Sequence, residues 1–509
     1  MTRSVGCGSS RRAGLAGATV PEKASPAPIL LGGWPGYSFP DLSAVAAWLT
    51  ATPMAEQTIE AGYHDTDDLR LVRSGIAIVH RPDVGTGRWT VELPVGPQVD
   101  LEGPAESVPL EVGALLAAHV RDAALVQVTK MRTRRSGVEL FDRGGRFLGR
   151  VVDDEISVLD GDDVAARFRE LGVHMAPTAP PELGAIVEKA LRAAGATDPD
   201  PLPRLARALG PRALAPPDAA PPVLGPAPSA DEVIHAALAE CVREWLLEDL
   251  RLRREPGTDT YLLWPLRGLV GLLHGCRDLF LGGEARELAG ALEPLMLLAR
   301  SEALLSARQA ALSTAAFDLP PTDDPSALLQ RADEETRVAR EQLLDELDGK
   351  RYVALVQLAV ETVSAPPFVA DSRASATVLL PVLTGRAFTS ARKASRDLDL
   401  ADAAAAARTI ERLDRTHALA EASTMVLPAA RPIASALANA ANGLLAFVAQ
   451  VEAGAWVRAQ VDRADSHEQA FIAGELAVSL RRSGQAAAEQ WERSWKKVDR
   501  KKARAWLTS

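Results

Sequence analysis

A stretch rich in proline and alanine, Pro211–Ala230, divides the chain into two parts with different sequence patterns. Its sequence is PRALAPPDAAPPVLGPAPSA, and prolines at this density remove backbone donors and fix the torsion angle φ. Such a stretch can neither continue a helix nor form a central strand. It therefore predicts a semi-rigid, extended linker at 211–230 between an N-terminal domain at 27–210 and a C-terminal domain at 231–509. Residues 1–26 lack any apolar pattern and are expected to form a disordered tail.

The N-terminal part consists of short segments in which apolar and polar residues alternate. Strand character is present in Ile76–Val79, Trp89–Leu93, Val126–Leu140 and Phe147–Val158. Helical spacing of apolar residues interrupts these strands at Asp41–Thr50, Pro109–Arg121 and Pro181–Gly195.

In the C-terminal part, apolar residues recur at helical spacing almost throughout. The clearest stretches are Asp231–Leu252, Leu262–Leu273, Glu284–Leu312 and Asp324–Leu347. Alanine and leucine dominate and runs of β-branched residues are few, which favours helix over strand. The predicted fold class is therefore α+β, with an antiparallel β-domain followed by an all-α helical bundle.

Charge and hydropathy exclude several classes of partner. The chain has 57 basic and 67 acidic residues and a formal charge of −10, which argues against a generic nucleic-acid binder. No uninterrupted apolar run reaches the length that spans a bilayer, so no membrane partner is expected. Met1–Val20 lacks the continuous apolar core of a signal peptide, and a cytoplasmic location is expected.

Several motifs of the N-terminal part resemble, in family order, the strands of a CYTH domain. Ile59–Arg81 contains Tyr63-x-Asp65-Thr66, a Leu-Arg-Leu step, a turn glycine and a final arginine. Similar counterparts of the later strands and closing elements are Trp89–Pro94, Met131–Arg135, Asp142–Arg146, Val151–Ile156, Phe168–Met175 and Pro203–Gly210. The resemblance covers about 28–210 and implies a triphosphate tunnel, an antiparallel β-barrel with charged side chains in its bore.

A triphosphate tunnel needs cations that face inward. Lys130, Arg132 and Arg134 are two residues apart in a predicted strand, so their side chains share one face and could hold phosphate oxygens. The alternative is a solvated strand face. With the resemblance, the candidate phosphate-binding residues are Arg81, Lys130, Arg132, Arg134, Arg169 and Arg204.

A tunnel of this kind also needs carboxylates that hold Mg²⁺ or Mn²⁺. The candidate metal ligands are Glu60, Asp65, Asp154 and Glu170, and Glu170 is also the catalytic candidate. Other acidic positions of the family are lost. Ala27–Gly33 has no counterpart of the Glu-x-Glu-x-Lys strand, Gly172 and His174 replace two glutamates, and Arg150 replaces an acid. The resemblance thus predicts a pseudoenzyme that has lost hydrolysis or retains it weakly.

The C-terminal part resembles a CHAD domain, a helical module that binds inorganic polyphosphate through histidines, lysines and arginines. Leu347–Pro366 matches best, and Glu255–Phe280 and Ala401–Ala420 fall where the two basic helices of the family belong. Aligned without gaps, Thr260 and Ala404 stand at the histidine positions. The resemblance leaves as candidate polyphosphate-binding residues Arg267, Arg277, Arg408, Arg412 and Arg415.

The last three of these arginines are spaced for one helix face, which could equally be a solvated face. The preferred hypothesis is a cytoplasmic CYTH–CHAD protein that binds inorganic triphosphate or polyphosphate, with hydrolysis lost or weak. Two alternatives remain: an active inorganic triphosphatase with Mg²⁺ or Mn²⁺, and a scaffold that binds proteins and no phosphate.

Overall fold

The structure is a computed structural model that describes residues 27–508, without 35, 83–86, 105, 162, 256, 258–260, 462 and 464–465. The predicted tail at 1–26 lies outside the described residues. Backbone contacts divide the chain into two compact units. The sheet unit contains 27–63 and Thr129–Leu209, and the helical unit contains His64–Val128 and 210–508.

The strands precede the long helices along the chain. The strands are β1 (Ile29–Gly33), β2 (Leu49–Pro53), β3 (Gln57–Asp65), β4 (Ala77–Pro82), β5 (Gly87–Glu92), β6 (Val99–Gly103), β7 (Val126–Asp142), β8 (Phe147–Asp160) and β9 (Asp163–Met175). The helices are α1 (Arg70–Arg73), α2 (Leu110–Leu115), α3 (Ala117–Val120), α4 (Leu183–Ala193), α5 (Arg204–Leu209), α6 (Ala230–Arg254), α7 (Leu263–Gly275), α8 (Glu284–Phe317), α9 (Ser326–Leu347), α10 (Lys350–Ser364), α11 (Ala376–Arg396), α12 (Ala403–Thr424), α13 (Arg431–Val461) and α14 (His467–Val498). The predicted order, an N-terminal antiparallel sheet followed by a helical region, is confirmed.

The sheet unit has the strand order β1-β9-β8-β7-β3, and β2 also pairs with β7. The expected closure into a barrel is wrong, because the sheet remains open in the part of the chain that the structure describes. The reason is visible at β1, whose one neighbouring strand is β9. Its other edge is occupied at Gly32, where the backbone forms a two-bond bridge with Thr197, with N···O distances of 3.1 and 2.9 Å. A loop thus satisfies the edge that a closing strand would need.

One face of the sheet unit carries a compact apolar core. Leu31, Leu140 and Leu171 are nearly inaccessible and pack with the apolar side of α4. The helix turns its polar side outward, as apolar residues at helical spacing predict. The sheet is therefore covered where α4 lies.

The helical unit begins with β4-β5-β6, an antiparallel meander, and continues with the long helices. The helix α6 begins at a capping box in which Ser229 and Glu232 exchange hydrogen bonds with each other's backbone. Of the predicted linker at 211–230, the first four residues belong to a 3-10 helix, Gly210–Leu214, and 215–228 has no regular helix or strand. It is nevertheless attached to the unit, because Ala219 is buried in the main helical core.

The predicted strands correspond to β4, β5, β7 and β8, and the predicted helical stretches to α6, α7, α8 and α9. The expected helix at Asp41–Thr50 is wrong. A single 3-10 turn occupies Leu42–Ala44, and Leu49–Pro53 forms β2 because its backbone pairs with β7, from Leu49 opposite Asp142 to Pro53 opposite Val138. Tertiary pairing overrides the local helical spacing here. The predicted domain boundaries at 210 and 230 stay a prediction.

One helical stretch among the described residues, Pro428–Val461, is long and apolar enough to cross a membrane. Its most apolar window has a mean hydropathy of 1.4, and 44% of that window is buried within the structure. Ile433, Leu437 and Leu444 of this stretch belong to a helical core. Length and composition therefore do not by themselves assign it to a membrane.

Candidate functional site

The charged residues of the sheet unit lie on two opposite faces. We name the first the Glu60 face, formed by Glu60, Lys130, Arg132, Arg134, Asp153, Glu155 and Arg169. Lys130, Arg132 and Arg134 alternate along β7 with the buried Met131 and Thr133. They share a face, as the alternation predicts, and their side chains are 40–55% exposed.

Every predicted cation on the Glu60 face has a carboxylate partner. Glu60 accepts from Lys130 Nζ at 2.6 Å and from Arg132 Nε at 2.8 Å, and these contacts lower the pKa of its carboxyl group. Arg134 donates from Nε and Nη2 to Glu155 Oε2 at 3.1 and 2.7 Å. A phosphate would have to displace these carboxylates before it could use the cations.

Arg169 is the most deeply held cation of this face. It donates from Nε and Nη2 to the two oxygens of Asp153 at 2.7 and 2.5 Å, and from Nη1 to the Tyr37 carbonyl at 2.7 Å. Asp153 is 1% exposed. The bidentate pair raises the pKa of Arg169 above its ordinary value. Arg169 is therefore placed as a structural ion pair.

The second face, the Glu170 face, contains Arg135, Asp154, Glu170, Arg204 and Arg207. Asp154 lies between Arg135 and Glu170 in the strand register and accepts from Arg135 at 2.8 and 2.9 Å. Arg204 Nη2 donates to Glu170 at 2.6 Å and to Asp154 at 3.3 Å, and Arg207 Nη1 donates to Glu170 at 3.0 Å. Arg207 Nε also lies 3.3 Å from Asp200, so the three arginines of this face meet three acids and are likewise neutralised.

The predicted metal ligands do not form a site for Mg²⁺ or Mn²⁺. Glu60 lies on one face of the sheet, and Asp154 and Glu170 lie on the other. Each of these carboxylates accepts from at least two cationic side chains. No group of three possible ligands that could hold a metal ion is present among the described residues. The donor set therefore does not fit a hard divalent cation, which needs several uncommitted oxygens.

Two predicted site residues, Asp65 and Arg81, belong to the helical unit. Asp65 accepts from the backbone amides of Thr66, Leu71 and Val72 at 2.6, 2.9 and 2.9 Å, an arrangement that fixes the start of α1. Burial raises the pKa of this carboxyl group in spite of those hydrogen bonds. Arg81 Nη1 donates to Thr90 Oγ1 at 3.2 Å across β4 and β5. Both residues have local structural partners.

A cleft in the helical unit, the arginine cleft, combines predicted and unpredicted cations. It has a volume of about 360 Å³, and α7, α8 and α12 supply its walls. Gly271 lets two of these helices approach, because a Cβ there would lie 3.0 Å from the Asp414 carbonyl oxygen. The charged lining residues are Arg267, His274, Arg286, Glu293, Arg300, Glu411, Asp414 and Arg415.

Two of the cleft cations are neutralised by acids of α12. Arg267 is 6% exposed and donates from Nε to Asp414 Oδ2 at 2.8 Å, with a second hydrogen bond from Nη2 to Oδ1. Arg300 Nη1 donates to Glu411 at 3.2 Å. The first pair is buried and ties α7 to α12, so Arg267 is positioned for packing more than for ligand binding.

Arg415 has no compensating acid of its own in the part of the chain that the structure describes. It makes no ion pair there, and its buried Nε lacks a hydrogen-bond acceptor. Burial lowers the pKa of its guanidinium group, and the nearby cation of Arg277 lowers it further, while Glu411 opposes the shift. Burial and the cations of Arg415 and Arg277 also lower the pKa of His274. This end of the cleft therefore has a positive potential that an anion would relieve.

The other candidate arginines of α12 do not line the cleft. Arg408 is exposed and lies 3.6 Å from Asp402, and Arg412 is half-buried and does not belong to the lining, although it follows Glu411. The helix face predicted from 408, 412 and 415 thus contributes one residue to the cleft.

Sequence reasoning missed several charged residues at these sites. Arg135 and Asp153 are not among the predicted site residues, although their strand neighbours Arg134 and Asp154 are. Arg207 is also missing from the prediction, although it lies one helical turn after the predicted Arg204. Arg286 and Arg300 are 14 residues apart in α8, a spacing that places them on one helix face. That spacing was the available signal for them.

Comparisons with known proteins leave the family open. No family model matches the chain. Two uncharacterized proteins from two strains of Mycobacterium tuberculosis are each 27% identical over 236 residues, which cover 42% of this chain. The match covers 45% of those relatives, so the chain spans about half of their length. The solved structure of PptA from Streptomyces chartreusis is 19% identical with a TM-score of 0.40, covering 53% of this chain and 99% of that chain. A likeness this low does not establish a shared fold.

Proposed function

We propose that the chain binds an inorganic triphosphate or polyphosphate in the arginine cleft and that it does not hydrolyse the ligand. The observation that carries the proposal is Arg415, whose cation lacks an acidic partner among the described residues. Arg286 reaches the same cleft and likewise has no ion pair in the described ranges. Phosphate oxygens would supply the missing acceptors, and guanidinium groups suit them in shape and charge.

The resemblance of the sequence to CHAD domains supports the same ligand class. Arg267, Arg277 and Arg415 were candidates on that ground, and the first and last of them line the cleft, while Arg277 acts on it electrostatically. A chain-like phosphate fits an open cleft better than an enclosed pocket would, because its ends can extend into solvent. The cleft is therefore preferred over the sheet as the phosphate site.

The loss of hydrolysis rests on the carboxylates of the sheet unit. In kinases, ATPases and GTPases, divalent metal neutralises the charge that develops on the phosphate oxygens during phosphoryl transfer. Glu60, Asp154 and Glu170 are committed to lysine and arginine partners and lie on two faces. An active triphosphatase would need these ion pairs to break and the carboxylates to converge.

Replacing Arg415 with glutamine tests the proposal. We expect R415Q to weaken tripolyphosphate binding by about tenfold or more, because hydrogen bonds to charged groups are worth roughly 1.5–3 kcal/mol and 1.4 kcal/mol is about tenfold. Isothermal titration calorimetry of the full chain, in buffer without divalent metal, measures the change. The matched control is R493Q, which removes an exposed arginine of α14 outside the cleft. Its affinity should stay within about twofold of the unsubstituted chain, since an exposed pair contributes little.

Three outcomes of this titration are informative. Equal losses for R415Q and R493Q would show non-specific screening and would contradict the cleft. Binding that survives in R415Q unchanged would place the ligand elsewhere. No binding by any variant would favour the scaffold alternative, and a polyanion site should in addition weaken steeply as salt rises.

The affinity for polyphosphate is also expected to depend on pH through the protonation of His274. Its pKa lies below the ordinary value in the free protein, so the side chain is neutral near pH 7. A bound polyphosphate would favour the imidazolium form and raise that pKa, so affinity should increase as the pH falls through the raised value. Titration of the His274 ring by NMR, with and without tripolyphosphate, measures the shift. A pKa that does not move with saturating ligand would remove His274 from the site.

A further inference from the structure

A second cleft in the helical unit, the Asp218 cleft, is rich in cations that the proposed function does not use. It has a volume of about 280 Å³. Its charged lining residues are Arg70, Arg73, His119, Arg121, Asp218 and Arg243, and Asp218 is the one acid in that described lining. The acid comes from the proline-rich stretch, which passes over α1, α3 and α6 here.

Asp218 occupies the position that a bound anion would take between arginines. Arg73 Nη2 donates to Oδ1 at 2.5 Å, and Arg121 Nη2 donates to Oδ2. Arg70 Nε lies 3.9 Å from Oδ2, too far for a hydrogen bond. In this geometry Asp218 accepts from two of the three guanidinium groups and leaves the third at a distance.

The charges of the cleft are not balanced. Arg70 also pairs with Asp68 at 2.8 Å, and Arg243 pairs with Glu240. Arg73 and Arg121 then share the single charge of Asp218, which leaves a surplus of one positive charge. The Arg121 side chain is 4% exposed, and its Nε has no acceptor among the described residues.

Two further features of the Asp218 cleft are typical of a binding site. His119 is 5% exposed, and its buried Nδ1 also has no hydrogen-bond partner in the described structure. Burial, followed by the cations of Arg121 and Arg253, lowers the pKa of His119 to about 4. The backbone of Arg121 has φ 57° and ψ −126°, a conformation that a side-chain-bearing residue rarely adopts. Strained residues of this kind concentrate at binding sites.

We propose that the Asp218 cleft binds a small phosphate dianion, and that Asp218 is an internal carboxylate which this anion displaces from Arg73 and Arg121. A tetrahedral phosphate has enough oxygens to accept from Arg70 as well, and its second charge balances the surplus. Displacement would also remove the side-chain contacts of Asp218 and so weaken the attachment of the proline-rich stretch. Arg73 Nη1 and Ser364 Oγ would still donate to the carbonyls of Pro216 and Asp218, at 2.9 and 2.8 Å in this structure. The site therefore couples phosphate binding to the attachment of 215–228.

Replacing Asp218 with asparagine removes the internal competitor and keeps its shape. We expect D218N to bind phosphate about tenfold more tightly than the unsubstituted chain, because one charge-assisted contact is worth roughly 1.5–3 kcal/mol. Calorimetric titration with inorganic phosphate and, separately, with glycerol 3-phosphate measures this and shows whether the free ion or an ester is preferred. The double variant R73Q/D218N should lose the gain. The control D345N removes an exposed acid of α9 and should change nothing.

A folded D218N chain with unchanged affinity for both phosphates would overturn the proposal. A second measurement, on the chain with Asp218 in place, covers the case in which D218N does not fold. Amide hydrogen exchange at 218–225 should become faster when inorganic phosphate saturates the chain, and unchanged exchange would overturn the proposal. Both measurements are repeated with R415Q, since a response that disappears there belongs to the arginine cleft and contradicts the Asp218 cleft.

Discussion

Replacing Asp153 with alanine is expected to lower the free energy of unfolding of the sheet unit by about 3–5 kcal/mol, the range for breaking a buried ion pair. Asp153 is 1% exposed, and the side chain of its partner Arg169 is 10% exposed. Without the carboxylate, a buried guanidinium group keeps the Tyr37 carbonyl as its hydrogen-bond acceptor and Glu155 at 3.6 Å. Urea denaturation measures the loss in free energy of unfolding. Amide hydrogen exchange at the core residues Leu171 and Val173 shows whether the loss arises in the sheet unit.

The matched control is Glu155→Ala on the same strand and the same face. Glu155 is 38% exposed and pairs with the exposed Arg134, so its removal should cost about 1 kcal/mol or less. A loss in D153A no larger than that of E155A would contradict the structural role of Arg169. If D153A also gained affinity for tripolyphosphate, Arg169 would instead be a phosphate ligand held back by Asp153. The pair of variants thus separates the structural from the ligand-binding interpretation of a residue that the sequence offered for phosphate.

Local sequence patterns predicted much of the fold because they reflect local physics. Alternation in 126–140 was enough to place Lys130, Arg132 and Arg134 on one face, since the side-chain period of a strand is fixed. Helical spacing predicted the long helices in the same way, because the side-chain period of a helix is also fixed. Open or closed pairing of a sheet depends on contacts between distant segments, and the bridge from Gly32 to Thr197, 165 residues away, has no local signal.

The candidate sites also depend on contacts between distant segments, which local sequence patterns do not predict. The sequence supplied the cations of the sheet but not their partners, because Glu60 is 70 residues from Lys130 and the pairing depends on strand register. It supplied Arg415 from a resemblance, whereas Arg286 and Arg300 entered the cleft through the packing of α8. Whether a charged side chain is free or neutralised is decided by tertiary neighbours, and that difference separates the arginine cleft from the two faces of the sheet.

A second large effect is expected in the helical unit, where replacing Arg253 with methionine should destabilise the fold by about 3–5 kcal/mol at neutral pH. Arg253 Nε donates to both oxygens of Asp249 at 3.1 and 3.0 Å, and Asp249 is completely buried. Tyr352 Oη donates to the same carboxylate at 2.7 Å. Arg253 also donates to the Ala114 carbonyl at 3.0 Å, so it joins α2 to α6. Urea denaturation monitored by circular dichroism measures the change.

The control for this variant is Arg251→Met, two residues earlier in the same helix. Arg251 is 53% exposed and pairs with Glu248 one turn away, so the same substitution there should cost about 0.5 kcal/mol or less. Equal losses in the two variants would mean that methionine disturbs α6 itself, and the buried pair would not be the cause.

The pH dependence of R253M identifies the buried charge as the origin of the loss. Burial raises the pKa of Asp249 even though Arg253 opposes the shift, and removal of Arg253 raises it further. The folded protein then takes up a proton at a pH where the unfolded chain does not. Stability therefore increases as the pH falls from the raised pKa toward the ordinary value of an aspartate, and the deficit of R253M should shrink in that window.

A double variant tests whether the unpaired carboxylate of Asp249 causes the instability of R253M. Replacing both, as D249L/R253M, removes the two charges together and should recover most of the stability that R253M loses, because a buried ion pair can often be exchanged for apolar residues without net cost. Tyr352 then lacks its acceptor, which leaves a deficit of roughly 1–3 kcal/mol. A double variant that is as unstable as the sum of the single variants would show that packing around Leu250 and Leu252 is what matters. Recovery would show that the unpaired carboxylate, and not the lost side-chain volume, destabilises R253M.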